Sequence, residues 1–361
     1  MMKKIMSRVI GLLALIGCCG LQAIERPNLP DPDGKPADMS KPVQVFILLG
    51  QSNMVGAGNV KGGKSPQVSL ENAVKEEGLY PFLVDDDGNW TVRQDVRNVR
   101  VMQRRGSMGV FNNEWMTIKG GKIGPEYGIG HPVGNLLDEP VMILKSCIGN
   151  RSLGWDLLPP GSERYEYQET DKKTGETKTY IYAGYKDSPD RWEKGTEPQA
   201  IGWYAGKQYD DDIANAKKVL AELETYYPGA KGYEVAGFFF WQGDKDRYKE
   251  AHAARYERNL VQFIKQLRED FNAPKAKFVL ATLGQTQKET ATGTEKMILE
   301  AQLAVDGGTG KYPEFKGNVA TVYSNPLSQG SSSNAHYGGN AKTYMDIGLA
   351  MGEAMVELLK K

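Results

Sequence analysis

The sequence predicts a three-layer α/β fold, in which helices cover both faces of a central five-stranded parallel sheet. Two observations carry this prediction. Five short apolar runs have the length and composition of buried strands, and amphipathic helical repeats lie between or after them. Strands that alternate with helices of this length are typical of βαβ units, which build parallel sheets.

The predicted elements follow one another along residues 42–361, which we interpret as a single flavodoxin-like domain. The strands are Val43–Leu49, Pro140–Lys145, Val235–Trp241, Lys277–Leu283 and Asn318–Tyr323. The helices are Glu126–Leu137, Asp211–Tyr226, Tyr256–Phe271, Glu295–Val305 and Asn340–Leu359.

Two long insertions interrupt this alternation, at about residues 59–123 and 153–207. In the first, Asp87-Gly88 lies between β-prone runs and predicts a hairpin. In the second, the sequence YEYQETDKKTGETKTYIYAGY predicts another hairpin, with Thr174-Gly175 near its turn. Such insertions usually lie over the strand ends and shape the substrate pocket, so they need not form separate domains.

The first residues predict an export signal over residues 1–23, because three positive charges precede an apolar segment. That segment is too short to span a bilayer comfortably, which favours a removed signal. The signal has two possible cleavage positions. One is ordinary cleavage near Gly20 or Ala23, and the other follows from a lipobox-like sequence ending at Cys18, which would carry a lipid anchor. Both predict a periplasmic, secreted or surface-anchored protein.

The composition excludes several classes of function. The 45 Lys and Arg residues balance the 45 Asp and Glu residues, so no basic field suggests nucleic acid binding. Cys147 is the only cysteine outside the signal, which excludes an internal disulfide, and its surroundings predict a buried core residue. No cluster has the spacing of metal ligands, and the chemistry proposed below needs no metal or other cofactor.

The most informative stretch is VQVFILLGQSNMVGAG, at residues 43–58. A serine directly after a buried strand lies where open α/β sheets place their ligands. Gly50 tolerates unusual dihedral angles, so the chain can turn sharply and present the Ser52 hydroxyl. We therefore predict that Ser52 is a nucleophile and that Asn53 braces its loop.

A serine nucleophile needs a base, and the chain has only three histidines. His131 lies in a helical stretch beside Pro132, and His252 lies in a charged region typical of an exposed helix face. His336 lies in SSSNAHYGGN, a loop between the fifth strand and the last helix. This loop belongs to the same sheet edge as Ser52, so we predict that His336 is the base; a structural histidine is the alternative.

These motifs resemble those of the SGNH hydrolases, in the branch that contains sialate O-acetylesterases and family 6 carbohydrate esterases. GQSNM is a hallmark of that branch, and HYGGNAKTYMDIGLAMGEAM is similar to its last block. The resemblance covers roughly residues 43–58, 124–158, 235–247 and 319–356. It implies an SGNH fold and a serine esterase that removes O-acetyl groups from a carbohydrate through an acyl-enzyme.

The third member of the catalytic triad departs from the family pattern. The family usually places an aspartate three residues before the histidine, where this chain has Ser333. Asp244 follows Trp-Gln-Gly, where the family commonly has a glutamate, and is our predicted partner of His336. A structural ion pair or a sugar contact is the other interpretation of Asp244. Asp246, or a Ser–His dyad with a backbone carbonyl, remains an alternative.

The resemblance also implies an oxyanion hole formed by the Ser52 and Gly149 backbone N–H groups and the Gln242 side chain. Gly149 follows the second strand, in CIGNRS. The sequence Gly124-Pro125-Glu126 is similar to another family element. Its acid is predicted to cap the following helix, since a carboxylate suits the positive end of the helix dipole.

The substrate class is suggested by aromatic residues in the second insertion, because flat rings pack against sugars. These residues are Trp155, Tyr165, Tyr167, Tyr180, Tyr182, Tyr185, Trp192, Trp203 and Tyr204. Alternating tyrosines also serve to pack a hairpin down, so both interpretations stand. The role of Arg151 also has two interpretations: it can contact an acidic sugar, or it can hold its own loop through a carboxylate.

Two other functions compete with this interpretation. The segment GNVKGGKS matches the phosphate-loop pattern but lacks a strand directly before it and a helix at its Lys-Ser, so we interpret it as a flexible loop. The second rival is a non-catalytic carbohydrate-binding protein on the same fold, motivated by Ser333. Ser52, Gly149, Gln242 and His336 argue against it, since binding alone does not require them.

Overall fold

The protein is represented by a computed structural model that describes residues 26, 29–30, 32, 34–63 and 65–361. The predicted export signal, with both of its alternative ends, lies outside the described residues, as does Lys64 of the GNVKGGKS segment. Within the described ranges, the helices are all too short or too polar to cross a membrane.

The strands found in these ranges are β1 (Val43–Gly50), β2 (Gly58–Asn59), β3 (Val96–Arg104), β4 (Ser107–Trp115), β5 (Lys122–Ile123), β6 (Val141–Ser146), β7 (Tyr165–Thr170), β8 (Thr177–Tyr182), β9 (Arg191–Glu193), β10 (Tyr233–Trp241), β11 (Lys277–Ala281) and β12 (Val319–Val322). The α-helices are α1 (Ser52–Val55), α2 (Leu70–Lys75), α3 (Glu126–Leu136), α4 (Lys207–Ala221), α5 (Leu223–Tyr226), α6 (Glu250–Asp270), α7 (Gly293–Ala304) and α8 (Ala341–Leu359). All five predicted strands and all five predicted helical segments are present.

The central sheet has the order β12-β11-β10-β1-β6-β3-β4, and every neighbouring pair except β3–β4 is parallel. The five predicted strands lie side by side in the flavodoxin-like order, which confirms the fold class. The predicted number of five strands is wrong, because the sheet has seven. The two additional strands, β3 and β4, come from the first insertion.

The strand β3 escaped prediction because arginines interrupt its apolar pattern, VRNVRVMQR. Arg97 is nevertheless 8% exposed. Its guanidinium lies 5.0 Å from the ring centre of Trp115 and donates a hydrogen bond of 2.9 Å to the carbonyl of Tyr226. A buried charged group is tolerated where such partners exist, so the strand keeps its place in the sheet.

The prediction of a hairpin at Asp87-Gly88 is wrong, because the turn there is closed by one isolated bridge, Val84–Trp90, and not by two paired strands. The hairpin of the first insertion is β3–β4. Its two-residue turn, Arg105-Gly106, has φ values of 49° and 83°. Positive φ at both positions matches the twist of the flanking strands.

The hairpin predicted in the second insertion is present as β7–β8, and β9 completes a three-stranded antiparallel sheet. Tyr165 stacks on Tyr182 with ring centres 5.1 Å apart, and its hydroxyl donates to the carbonyl of Ala251 at 2.9 Å. The hairpin is thereby packed against the start of α6. These two tyrosines follow the packing interpretation rather than the sugar-binding one.

The core consists of two apolar layers, one on each face of the central sheet. Strand β1 contributes to both: Val45 and Ile47 face the layer of α4, α6 and α7, while Phe46 and Leu48 face the layer of α3 and α8. All four side chains are fully buried. A strand buried on both faces is continuously apolar, and it gives the Ser52 turn a rigid support.

Candidate active site

The predicted site residues lie on loops that follow four strands of the sheet: Ser52 after β1, Gly149 after β6, Asp244 after β10 and His336 after β12. Because these strands are parallel, their carboxyl ends share one edge of the sheet. Direct contacts join the loops. A Cβ atom on Gly149 would lie 3.4 Å from the Cβ atom of Ser52, so the two residues are neighbours.

The turn into the Ser52 helix depends on Gly50. This residue has a φ of 145°, and a Cβ atom there would lie 2.4 Å from the carbonyl oxygen of Trp241. Only glycine permits this approach. The Gln51 N–H then donates to the same carbonyl at 3.3 Å, and half-buried Ser52 begins α1.

Asn53 braces this helix, as predicted. Its side chain is 1% exposed, and its amide donates to the carbonyl of Ser333 at 3.4 Å. The hydroxyl of Tyr344, on α8, donates to its Oδ1 at 3.3 Å. Asn53 therefore ties the nucleophile helix to the loop that carries His336.

The end of α1 is held by an ion pair that the sequence did not reveal. Lys145 is 1% exposed; its Nζ lies 2.5 Å from Oε2 of Glu126 and donates to the carbonyl of Val55 at 3.1 Å. Oε1 of Glu126 accepts the N–H of Gly124 at 3.1 Å. Glu126 lies in the first turn of α3, but its carboxylate binds Gly124 and Lys145 rather than an N–H group of the helix, so the predicted cap is not formed.

The Gln242 side chain is 1% exposed and lies at the centre of a hydrogen-bond network. Its Nε2 lies 3.2 Å from Oε1 of Gln51, 2.9 Å from the carbonyl of Arg151 and 2.5 Å from Oδ2 of Asp246. The Tyr256 hydroxyl donates to its Oε1 at 2.8 Å. Donation to an acyl oxygen would require one of these bonds to be exchanged, and that role stays a prediction.

Asp246 fixes the loop that carries Gly149. The residue is fully buried, and its carboxylate accepts the N–H groups of Leu153 at 2.9 Å and Gly154 at 2.7 Å. Burial raises the pKa of Asp246, against the opposing effect of these donors and of Gln242. Both of its oxygens are thus engaged in holding the loop.

His131 and His252 are both buried. His131 packs 4.7 Å from the ring of Phe82, and burial beside Arg93 holds its pKa well below the usual value. The exposed helix face expected for His252 is wrong: the residue is 4% exposed and its Nε2 lies 2.9 Å from Oδ1 of Asp190. Lys249 binds the same aspartate, so the second insertion covers this face of α6.

The His336 loop has an unusual backbone. His336 and Tyr337 both have a φ of 52°, and the two glycines that follow also have positive φ. Left-handed non-glycine residues cost of order 1–3 kcal/mol each unless the surroundings hold them. Here Tyr337 is fully buried, stacks on Trp241, and accepts the N–H of Gly284 at 3.1 Å. This anchor leaves the adjacent His336 half-buried at the sheet edge.

Asp244 lies against the same loop. Its side chain is buried, and Oδ1 accepts the hydroxyl of Ser333 at 2.6 Å and Nε of Arg247 at 2.8 Å. Arg247 also binds Glu295 at 3.0 Å. The structure therefore brings the predicted carboxylate into contact with the position three residues before His336.

Residues 187–357 match the family model described as carbohydrate esterase, sialic acid-specific acetylesterase. The resemblance to this family is confirmed. The match spans a little under half of the chain and includes Gln242, Asp244 and His336, whereas Ser52 and Gly149 precede it. It supports hydrolase chemistry of the acetylesterase type. A comparison with curated protein sequences finds no match.

The solved structures that are similar to the chain include the following three. A protein from Arabidopsis thaliana has 18% sequence identity and a TM-score of 0.47, over 87% of this chain and 98% of that one. A carbohydrate acetylesterase from Xanthomonas citri has 13% identity and a TM-score of 0.47, over 86% of this chain and 55% of that one. NanS has 12% identity and a TM-score of 0.38, over 78% of each chain.

Arg151 holds its own loop. Its Nε donates to Oε1 of Gln208 at 3.1 Å and lies 3.9 Å from Oδ1 of Asp156, while its guanidinium lies 4.8 Å from the ring centre of Trp203. Asp156 accepts the N–H of Ser152 at 2.8 Å, and burial raises its pKa. The contact with an acidic sugar stays a prediction.

Four of the nine aromatic residues of the second insertion differ in their burial. Tyr182 and Trp192 are buried within the insertion. Trp155 and Trp203 are half-buried beside the 149–154 loop, where Trp203 packs under Arg151. A sugar contact is therefore better placed on these two tryptophans than on the hairpin tyrosines.

Cys147 is a buried core residue, as predicted. It is 1% exposed, and burial raises the pKa of its thiol to about 12. A thiol in this state is not a nucleophile at neutral pH.

Proposed function

We propose that the protein is an exported serine esterase that removes O-acetyl groups from a carbohydrate, within one domain over residues 42–361. The substrate would be an acetylated xylan, another acetylated glycan or an acetylated sialic acid. One observation carries the proposal: the loops of Ser52, Gly149 and His336 converge at one sheet edge, with Gly149 directly beside Ser52. The family match over residues 187–357 supports it.

In the proposed reaction, Ser52 Oγ attacks the acetyl carbonyl while His336 takes its proton. The bond between the acetyl carbon and the sugar oxygen then breaks, and His336 donates the proton to the departing oxygen. Water, deprotonated by His336, attacks the acyl-enzyme, and acetate leaves as Ser52 recovers its proton. Asp244 supplies the negative charge that favours the imidazolium form of His336.

The negative charge that develops on the acyl oxygen would be received by the Ser52 and Gly149 backbone N–H groups, with Gln242 as the third donor. The Gln242 amide donates to the carbonyl of Arg151 and to Asp246, so it must exchange one of these bonds to reach the acyl oxygen.

The proposal is tested with the purified protein on 4-nitrophenyl acetate, acetylated xylan and O-acetylated sialic acid. We expect acetate release from at least one carbohydrate, and mass spectrometry after a rapid acid quench should find an acetyl group on the peptide that contains Ser52. Acetate release no faster than that of Ser52→Ala on every substrate would overturn the proposal. That result would favour the carbohydrate-binding alternative, which calorimetry with the same glycans would then examine.

The carbohydrate-binding alternative was suggested by the missing aspartate at position 333, and the structure weakens that argument. Ser333 occupies the position of the usual family aspartate, but its hydroxyl is bound to Asp244. A carboxylate is therefore present beside the His336 loop even though it comes from another strand.

Gly149→Ala should separate catalysis from folding. The added methyl group would lie 3.4 Å from the Cβ atom of Ser52, an ordinary contact, so we expect the free energy of unfolding to change by less than about 1 kcal/mol. The methyl group also occupies space beside the nucleophile, so kcat/KM for acetyl esters should fall by about 10²-fold, as for loss of one oxyanion contact. Kinetics and urea unfolding measure the two effects.

The matched control is Gly202→Ala, where a Cβ atom would have no neighbour within 4 Å. This variant should retain both activity and stability. Full activity of Gly149→Ala would place the acyl oxygen elsewhere.

A further inference from the structure

Ser333 joins four loops of the site through its three polar groups. Its hydroxyl donates to Asp244 at 2.6 Å, its N–H donates to Oε1 of Gln285 at 3.2 Å, and its carbonyl accepts the Asn53 amide at 3.4 Å. These partners follow β10, β11 and β1, whereas Ser333 itself follows β12. Among the described residues, no other member of the His336 loop forms hydrogen bonds with three other loops.

We propose that Ser333 is a positioning residue: its hydroxyl connects the carboxylate of Asp244, on the β10 loop, to the loop that presents His336. The pair would thereby perform the function of a single carboxylate placed at position 333. This inference rests on the proposed esterase function, and it assigns Ser333 no contact with the substrate.

The burial of both partners makes the connection specific. Ser333 is fully buried and Asp244 is 7% exposed, so bulk water cannot readily replace either partner. A hydrogen bond to an ionised carboxylate is about twice as strong as one between neutral groups. Because His336 follows only three residues later in a left-handed conformation, its orientation depends on the contacts of Ser333 and of buried Tyr337.

The charges around Asp244 define the appropriate variants. Arg247 binds the same carboxylate oxygen at 2.8 Å and also binds Glu295, so Asp244 has one cationic partner. Ser333→Asp alone would place two carboxylates at hydrogen-bond distance, where one of them must take up a proton. The double variant Ser333→Asp/Asp244→Ser exchanges the two side chains and returns a single charge to the histidine loop.

The experiment compares Ser333→Ala, Ser333→Asp, Asp244→Ser and the double variant, with Ser332→Ala as the control. Ser332 is the adjacent serine, and its hydroxyl binds only the exposed Asn334. We expect Ser333→Ala to lower kcat by about 10²-fold, the effect of a small misplacement of a catalytic group, with little change in KM. The double variant should regain at least about tenfold over either single variant.

A second readout needs no substrate: the NMR signals of the His336 imidazole at one fixed pH, assigned with His336→Gln. These signals report the environment of the ring, so they should move in Ser333→Ala and Asp244→Ser and return towards the wild-type positions in the double variant. Wild-type kcat in Ser333→Ala overturns the proposal. So does a folded double variant that recovers neither kcat nor the wild-type NMR signals of the His336 imidazole. A wild-type protein that hydrolyses no ester refutes the proposed function, while the NMR series still decides the coupling.

Discussion

Ser52→Ala and His336→Ala are each expected to lower kcat for acetyl ester hydrolysis by about 10⁴–10⁶-fold, and the double variant should be no slower than the slower single variant. The two side chains act in one step, because the hydroxyl is a weak nucleophile until the imidazole takes its proton. Removal of either one ends that step. Steady-state kinetics with 4-nitrophenyl acetate, at high enzyme concentration, measures all three variants.

The loss of kcat in the double variant tests whether the two residues act together. If the losses multiply in the double variant, Ser52 and His336 act independently and the proposed proton transfer is wrong. Both variants should keep the unfolding midpoint of the wild type, since each side chain is only half-buried. Ser332→Ala is again the control, with activity expected to be unchanged.

Much of the fold could be predicted because its central strands are buried on both faces. A strand such as β1 must then be apolar at every position, and that signal needs no knowledge of its neighbours. The strand β3 lies nearer the sheet edge, and its buried Arg97 depends on Trp115 and Tyr226. Trp115 lies on the next strand and Tyr226 is 129 residues away, so the pattern of β3 alone could not reveal its place.

The location of the site followed from topology, since parallel strands end at one edge of a sheet. Its internal contacts could not be predicted in the same way. The Ser333 and Asp244 side chains are separated by 89 residues, and the sequence predicted Asp244 as the partner of His336 but not its hydrogen bond with Ser333. His252 was misjudged for a related reason, because it and the neighbouring Lys249 bind Asp190 of the second insertion.

Lys145→Met is expected to lower the free energy of unfolding by about 3–5 kcal/mol, because it leaves the carboxylate of Glu126 buried without its counter-ion. Lys145 is 1% exposed in the ion pair and Glu126 is 9% exposed, so water cannot readily take the place of the missing ammonium. Urea unfolding at neutral pH measures the effect. Folded Lys145→Met should also have a lower kcat, since the carbonyl of Val55, at the end of the Ser52 helix, loses its donor.

The double variant Lys145→Met/Glu126→Gln distinguishes a broken ion pair from a general packing defect. Glutamine can still accept the N–H of Gly124 and carries no charge, so most of the lost stability should return. The control is Lys194→Met, in the exposed pair with Glu166, where both side chains are 55% exposed and the cost should be below about 1 kcal/mol. Equal losses in the single and double Lys145 variants would show that the lysine acts through its packing, and that the charge of Glu126 needs no partner. Recovery of stability without recovery of kcat would instead assign the contact with Val55 to the positioning of Ser52.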